Sequence, residues 1–139
     1  MTTVEITIRN RLDDVARVRD LVATLATTHK LPTNVVFDMN VALDEVLSNI
    51  VKYGYPDDTI HEIRVALTVS LDTLVAEIDD DGRPFDLTTV PAPDPGVPLA
   101  ERKIGGLGIH FVRKLMSEVT YSRVAGRNRL ILKKPFRRP

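Results

Sequence analysis

The stretch Ala42-Leu43-Asp44-Glu45-Val46-Leu47-Ser48-Asn49 combines an apolar period of a helix with two polar side chains on one helical face. Glu45 and Asn49 stand four residues apart. At about 100° per residue, Asp38, Ala42, Glu45, Asn49 and Lys52 fall in one narrow stripe, opposite Leu43, Leu47 and Ile50. By spacing alone that stripe reads as a solvated face. Val41 and Ala42 flank it, however, which makes the polar strip thin for a helix in open water. A carboxylate beside a carboxamide also suits a divalent-cation and phosphate site. There the amide oxygen can ligate Mg²⁺ while the carboxylate orients or deprotonates a nucleophile.

The patterns on either side place this helix in a layered fold. Residues 3–8 set Val4, Ile6 and Ile8 against polar neighbours, as in a half-buried strand. Asp13 and Asp14 open a helix with Val15, Val18, Leu21, Val22 and Leu25 at helical spacing, ending before Pro32. The central helix is expected over about 33–53, followed by the turn Tyr55-Pro56-Asp57-Asp58. Strands are expected over 62–69 and 73–79, joined by a tight turn at 70–72. Pro84, Pro91, Pro93, Pro95 and Pro98 then mark a loop that neither a regular helix nor a central strand accommodates. A third helix is expected over about 107–116. Strands over 119–124 and 129–133 close the chain as a hairpin around Ala125-Gly126-Arg127-Asn128. The order β-α-α-β-β-loop-α-β-β predicts one α+β domain over residues 1–139. Its expected form is a two-layer α/β sandwich, a mixed but mostly antiparallel sheet covered on one face by helices.

Composition narrows the function. The 139 residues carry 19 basic and 19 acidic side chains, and a net charge of zero argues against binding nucleic acid by bulk electrostatics. The absence of Cys excludes disulfides, thiol catalysis and thiolate zinc sites. No signal-peptide pattern opens the chain and no apolar run approaches the ~20 residues of a membrane span, so a cytoplasmic location without membrane partners is expected. The zero is segregated: 72–86 holds six acids against Arg83, whereas only bases follow Glu118. The basic stretch 123–138 reads as a solvated hairpin face. His29, His61 and His110 have no metal-cluster spacing, and His110 reads as a packing residue.

Two further segments carry chemistry. Ile78-Asp79-Asp80-Asp81-Gly82-Arg83-Pro84-Phe85-Asp86 ends an apolar strand. It reads as an acidic turn, or as an Asp that accepts from an exocyclic amine such as that of adenine, with Gly82 admitting a ring to the backbone. Gly105-Gly106-Leu107-Gly108-Ile109 opens a helix whose free N–H groups suit phosphate, with positive charge available from Arg102 and Lys103.

In this order, the helix Glu…Asn, the strand-end Asp-x-Gly and the Gly-x-Gly helix start resemble the N-box and the two glycine boxes of the GHKL ATPase superfamily. Within it, the chain resembles the stand-alone anti-sigma-factor serine kinases of the RsbW type over nearly its whole length. Asn49-Ile50-Val51-Lys52-Tyr53-Gly54-Tyr55-Pro56, Asp80-Asp81-Gly82-Arg83-Pro84-Phe85-Asp86 and Gly106-Leu107-Gly108-Ile109-His110-Phe111-Val112-Arg113 carry the likeness. The resemblance implies the Bergerat, or histidine-kinase-like, ATPase fold with ATP and Mg²⁺ as cofactors. It gives Asn49 the metal, Glu45 the role of general base and Asp80 the adenine amine. Gly82 then makes room for the ring, Gly106 and Gly108 with the backbone of Leu107 cradle phosphates, and about 87–104 forms an ATP lid. One departure is Pro84, which replaces the superfamily's usual second glycine and implies a stiffer lid hinge. The implied activity is phosphorylation of a Ser or Thr on a STAS-type anti-sigma antagonist, with sequestration of a sigma factor or equivalent target. A PP2C-type phosphatase in the same pathway and a homodimer are further implied partners. The alternative is a non-catalytic module of the same fold that senses ATP and regulates a partner by occupancy.

Overall fold

A period of two in the strands and of about 3.6 in the helices sorts the apolar side chains onto two facing layers. The computed structural model describes residues 1–90 and 106–138. It contains β1 (Thr2–Arg9), α1 (Leu12–His29), α2 (Thr33–Tyr53), β2 (Glu62–Val69) and β3 (Thr73–Asp80), then α3 (Gly106–Leu115), β4 (Glu118–Val124) and β5 (Arg127–Pro135). A short 3₁₀ turn, Leu87–Thr89, follows β3. The sheet order is β1-β2-β3-β5-β4, and each of the four pairings is antiparallel. This is the expected α+β sandwich.

Ile8, Ile63, Val65, Leu67, Ile78 and Leu132 point from the sheet into the core, where they meet Val18 and Val22 of α1 and Met39, Leu43 and Leu47 of α2. The opposite sheet face carries the alternate residues, among them Arg64, Glu77, Asp79 and Arg129. Alternation along each strand therefore separates a dry face from a charged one.

The stripe on α2 is not a solvated face. Ala42 is completely buried, and Asp38 and Glu45 lie against α3. Lys134 fixes one end of this helix pair: its ammonium reaches the Asp38 carboxylate at 2.8 Å and the Leu115 carbonyl at 2.7 Å. A cation on the last carbonyls of α3 also complements the helix dipole. At the other end the Glu45 carboxylate packs directly over Gly108. With Asp38 at the end of α3 and Glu45 at its beginning, the two helices run antiparallel, so the start of α3 lies beside the Glu45–Asn49 turn.

The final hairpin is tighter than the sequence suggests. Ala125 (φ 53°) and Gly126 (φ 77°) make a two-residue turn with both φ angles positive, which matches strand twist. Arg127 and Asn128, expected in the turn, instead begin β5. That places Asn128 on the inward face beside Leu130 and Leu132.

Candidate functional site

A cavity of about 230 Å³ opens between the C-terminal half of α2, the end of β3, the start of α3 and the β4–β5 hairpin. Ile50, Ile78, Phe85, Leu87, Ile109 and Leu130 make its walls largely apolar, and Asn49, Asp80, Arg83, Tyr121 and Asn128 supply the polar groups. An apolar slot with a few placed polar atoms is the usual construction of a small-molecule site.

Asp80 is brought here because it is the last inward-facing residue of β3, and it is only 4 % exposed. Its Oδ1 accepts the Gly82 N–H at 2.7 Å and the Asn128 amide at 3.1 Å. Among the described residues, no donor reaches Oδ2. Burial pushes this carboxyl above its ordinary range, against the lowering effect of the hydrogen bonds from Asn128 and Gly82. Gly82 is a close-approach glycine: a Cβ there would stand 2.7 Å from the Gly54 carbonyl oxygen. The Arg83 N–H donates to that same carbonyl at 2.8 Å, so the end of α2 and the turn after β3 move as one piece.

Asn49 lines the cavity with its amide nitrogen buried and, among the described residues, without a partner, an arrangement that normally costs free energy. Glu45 lies one helical turn away, half-buried against Gly108 rather than in the cavity wall. Gly106, Leu107 and Gly108 form the first turn of α3, and α3 is tied by Arg113 to the carbonyl of Val90. Lys103, Arg102 and Gly105 lie outside the described residues, as does 91–104 of the expected lid; its start, 87–89, is the 3₁₀ turn capped by Asp86, whose Oδ1 accepts the Thr88 N–H at 2.9 Å.

Sequence reading missed Asn128, the hub of the cavity floor. Its amide donates to Asp80 and, at 2.8 Å, to the Arg83 carbonyl, while its oxygen accepts from Tyr121 at 2.5 Å and Arg123 at 2.9 Å. The signal was the alternation Asn128-x-Leu130-x-Leu132, legible only once the turn is shortened to Ala125-Gly126. The basic stretch is likewise not simply a solvated face. Arg123 reaches the Gly82 carbonyl at 3.0 Å, and Arg127 and Arg129 serve Asp79, buried on the far side of the sheet, at 2.5 and 3.6 Å. Asn128→Ala is expected to leave Asp80, Tyr121 and Arg123 short of partners inside the protein. The expected loss is about 2–3 kcal/mol of stability, read from urea unfolding.

A five-stranded antiparallel sheet with helices on one face, and a pocket between the long central helix, the strand-end Asp and a glycine-led helix, is the architecture of histidine-kinase-like ATP-binding domains. The chain belongs to the histidine kinase-like ATPase domain family, whose profile matches residues 8–134. It is 31 % identical over 86 residues to the serine-protein kinase RsbW of Listeria monocytogenes serovar 1/2a, covering 59 % of this chain and 55 % of that one. To the serine-protein kinase RsbW of Bacillus mycoides it is 26 % identical over 120 residues, 84 % of this chain and 74 % of the relative. The chain thus spans about half the length of the Listeria relative. The crystal structure of the RsbU and RsbW domains of Rv1364c from Mycobacterium tuberculosis has the same fold. The TM-score is 0.66 at 19 % identity, over 99 % of this chain and 34 % of that one. Among the described residues, no helix is long and apolar enough to cross a membrane.

Proposed function

We propose that residues 1–139 act as a single ATP-binding domain that takes Mg²⁺-ATP in this cavity and transfers its γ-phosphoryl group to a Ser or Thr of a STAS-type anti-sigma antagonist. In the nucleotide-bound state it holds a sigma factor or an equivalent target. The observation that carries the reading is the pairing, in one pocket, of an Asn49 amide nitrogen and an Asp80 carboxylate oxygen that find no partner among the described residues. Family membership and relatives named as serine-protein kinases support it.

The residues present fit the nucleotide and its metal. Asp80 keeps Oδ2 for the exocyclic amine of adenine, and its Oδ1 is fixed by Gly82 and Asn128 so that it does not turn away. Gly82 is not among the residues that line the cavity: its missing Cβ makes room for the Gly54 carbonyl and Asp80 Oδ1 rather than for a ring. The apolar walls exclude water around the ring. Asn49 would hold the metal through its amide oxygen. When bound, Mg²⁺ neutralises phosphate charge, which is most of what phosphoryl transfer requires beyond positioning. The first-turn N–H groups of α3, at Gly106, Leu107 and Gly108, offer donors and a positive dipole end to the phosphates. Glu45 takes the proton of the incoming hydroxyl as its oxygen bonds to the γ-phosphorus and ADP leaves.

The test is incubation of the protein with Mg²⁺ and γ-labelled ATP in the presence of a STAS-domain acceptor. Label on a Ser or Thr of the acceptor is the expected result. Tight ATP binding with no label on any acceptor would replace the kinase with the occupancy-sensing module.

A further inference from the structure

His61, just ahead of β2, is placed where two loops of the pocket meet. Its ring stacks on Tyr55 with centroids 4.2 Å apart and planes 14° apart. Nε2 lies 2.9 Å from Asp57 Oδ1, and Nδ1 lies 3.2 Å from Asp81 Oδ1. Asp57 and Tyr55 belong to the loop that leaves α2, whereas Asp81 directly follows Asp80. The main chain of His61 is held on both sides by Asn10, through its amide oxygen at 2.9 Å and its N–H at 3.1 Å, so the ring is presented from a fixed backbone.

We infer that His61 is a positioning residue for the nucleotide pocket: its imidazolium clamps the loop after α2 to the Asp80–Asp81 turn and makes nucleotide affinity depend on its protonation. This rests on the nucleotide reading of the pocket. The reason is donor arithmetic. A neutral imidazole has one N–H, so one of its nitrogens would face a carboxylate lone pair to lone pair; only the doubly protonated ring donates to Asp57 and Asp81 together. The Asp57 hydrogen bond, together with the Asp81 bond and both negative charges, outweighs desolvation and holds this histidine above its usual range. The Thr59 hydroxyl hydrogen bond, followed by the His61 bond and the Thr59 N–H, draws Asp57 down to about 2, so it stays ionised throughout.

The other groups facing the clamp are Thr59, whose hydroxyl is 3.0 Å from Nε2, and the Tyr55 hydroxyl, which is buried and has no partner among the described residues. Burial and the charges of Asp80 and Asp81 hold that tyrosine in its neutral form at any ordinary pH. From β5, Arg127 contributes positive charge near Asp81 but is engaged by Asp79. His61 is therefore the titrating link near neutrality. The Gly54 carbonyl to Arg83 N–H bond crosses the same seam and lines the cavity, which is how the clamp reaches the site.

For a histidine raised in the folded state, the docking it provides is present at low pH and lost as pH rises through its folded value. Calorimetric titration with Mg²⁺-ADP between pH 6 and 8.5 should show affinity falling about five- to tenfold across that range in the parent protein. His61→Gln should bind weakly with little of this pH dependence, and His61→Arg should bind as the acidic parent does at every pH. By reciprocity, saturation with Mg²⁺-ADP should raise the His61 titration midpoint seen by NMR. If the pH slope is the same in His61→Gln as in the parent, or the midpoint does not move on saturation, the clamp is overturned while the pocket stands. Absence of ADP binding at every pH would overturn the pocket itself, and the clamp with it.

Discussion

Asn49→Ala is expected to lose Mg²⁺-ADP affinity by at least about 100-fold, roughly 2.7 kcal/mol, while the protein becomes no less stable. The two halves of that result have one cause. Among the described residues the Asn49 amide nitrogen is buried without a hydrogen-bond partner, so the folded protein carries its desolvation cost of about 1–3 kcal/mol with no return in contacts. Alanine removes that cost, suits a helix better and loses little apolar contact. A residue retained only for packing would behave the other way, with truncation lowering the unfolding midpoint. The expected melting temperature is therefore equal to the parent's or a few degrees higher. Unchanged calorimetric affinity would remove Asn49 from the site. A fall in stability of about 2 kcal/mol or more would show that the amide is structural.

The second large effect concerns Gly108. An alanine at this helical position is intrinsically favoured over glycine by about 1 kcal/mol, so the fold should tolerate it. Its methyl, however, would occupy the space of the Glu45 carboxylate. Glu45 is half-buried on a flexible stem and gives way, swinging from the start of α3. If that carboxylate takes the proton of the incoming hydroxyl, Gly108→Ala should slow phosphoryl transfer on the order of 10²-fold or more, as Glu45→Ala should. The double variant should be hardly slower than either single one, because both changes remove the same group. ATP binding in Glu45→Ala should remain close to that of the parent. Additive losses in the double variant would mean that Gly108 acts on the phosphates alone. Parent-like transfer by Glu45→Ala would remove Glu45 from the chemistry.

Helix α2 was legible in full because Pro32 and Gly54 bound an unbroken apolar period, and its ends agree with the expected 33–53. Strands β2 and β3 were legible from clean alternation. The hairpin was not, because the inward side of β5 starts with a polar Asn128 and ends with a charged Lys134, and alternation counts only apolar residues. Both face inward for tertiary reasons: Asn128 is buried beneath Asp80, and Lys134 is part-buried between α2 and α3. His61 was unreadable for a similar reason. Its partner Asp81 is 20 residues away, and only the β2–β3 register, with Arg64 opposite Asp79, brings the two together. Local pattern identifies elements; which polar groups those elements then enclose depends on pairing that no local window contains.

The nucleotide assignment makes a base-specific claim. Adenine presents an exocyclic amine where guanine presents a carbonyl, and the free oxygen of Asp80, as the carboxylate, can only accept. Calorimetry of the parent protein with Mg²⁺-ATP and Mg²⁺-GTP tests this directly. Binding of ATP at least about tenfold tighter than GTP, some 1.4 kcal/mol, is the predicted result; equal affinities, or no heat with ATP, would contradict it.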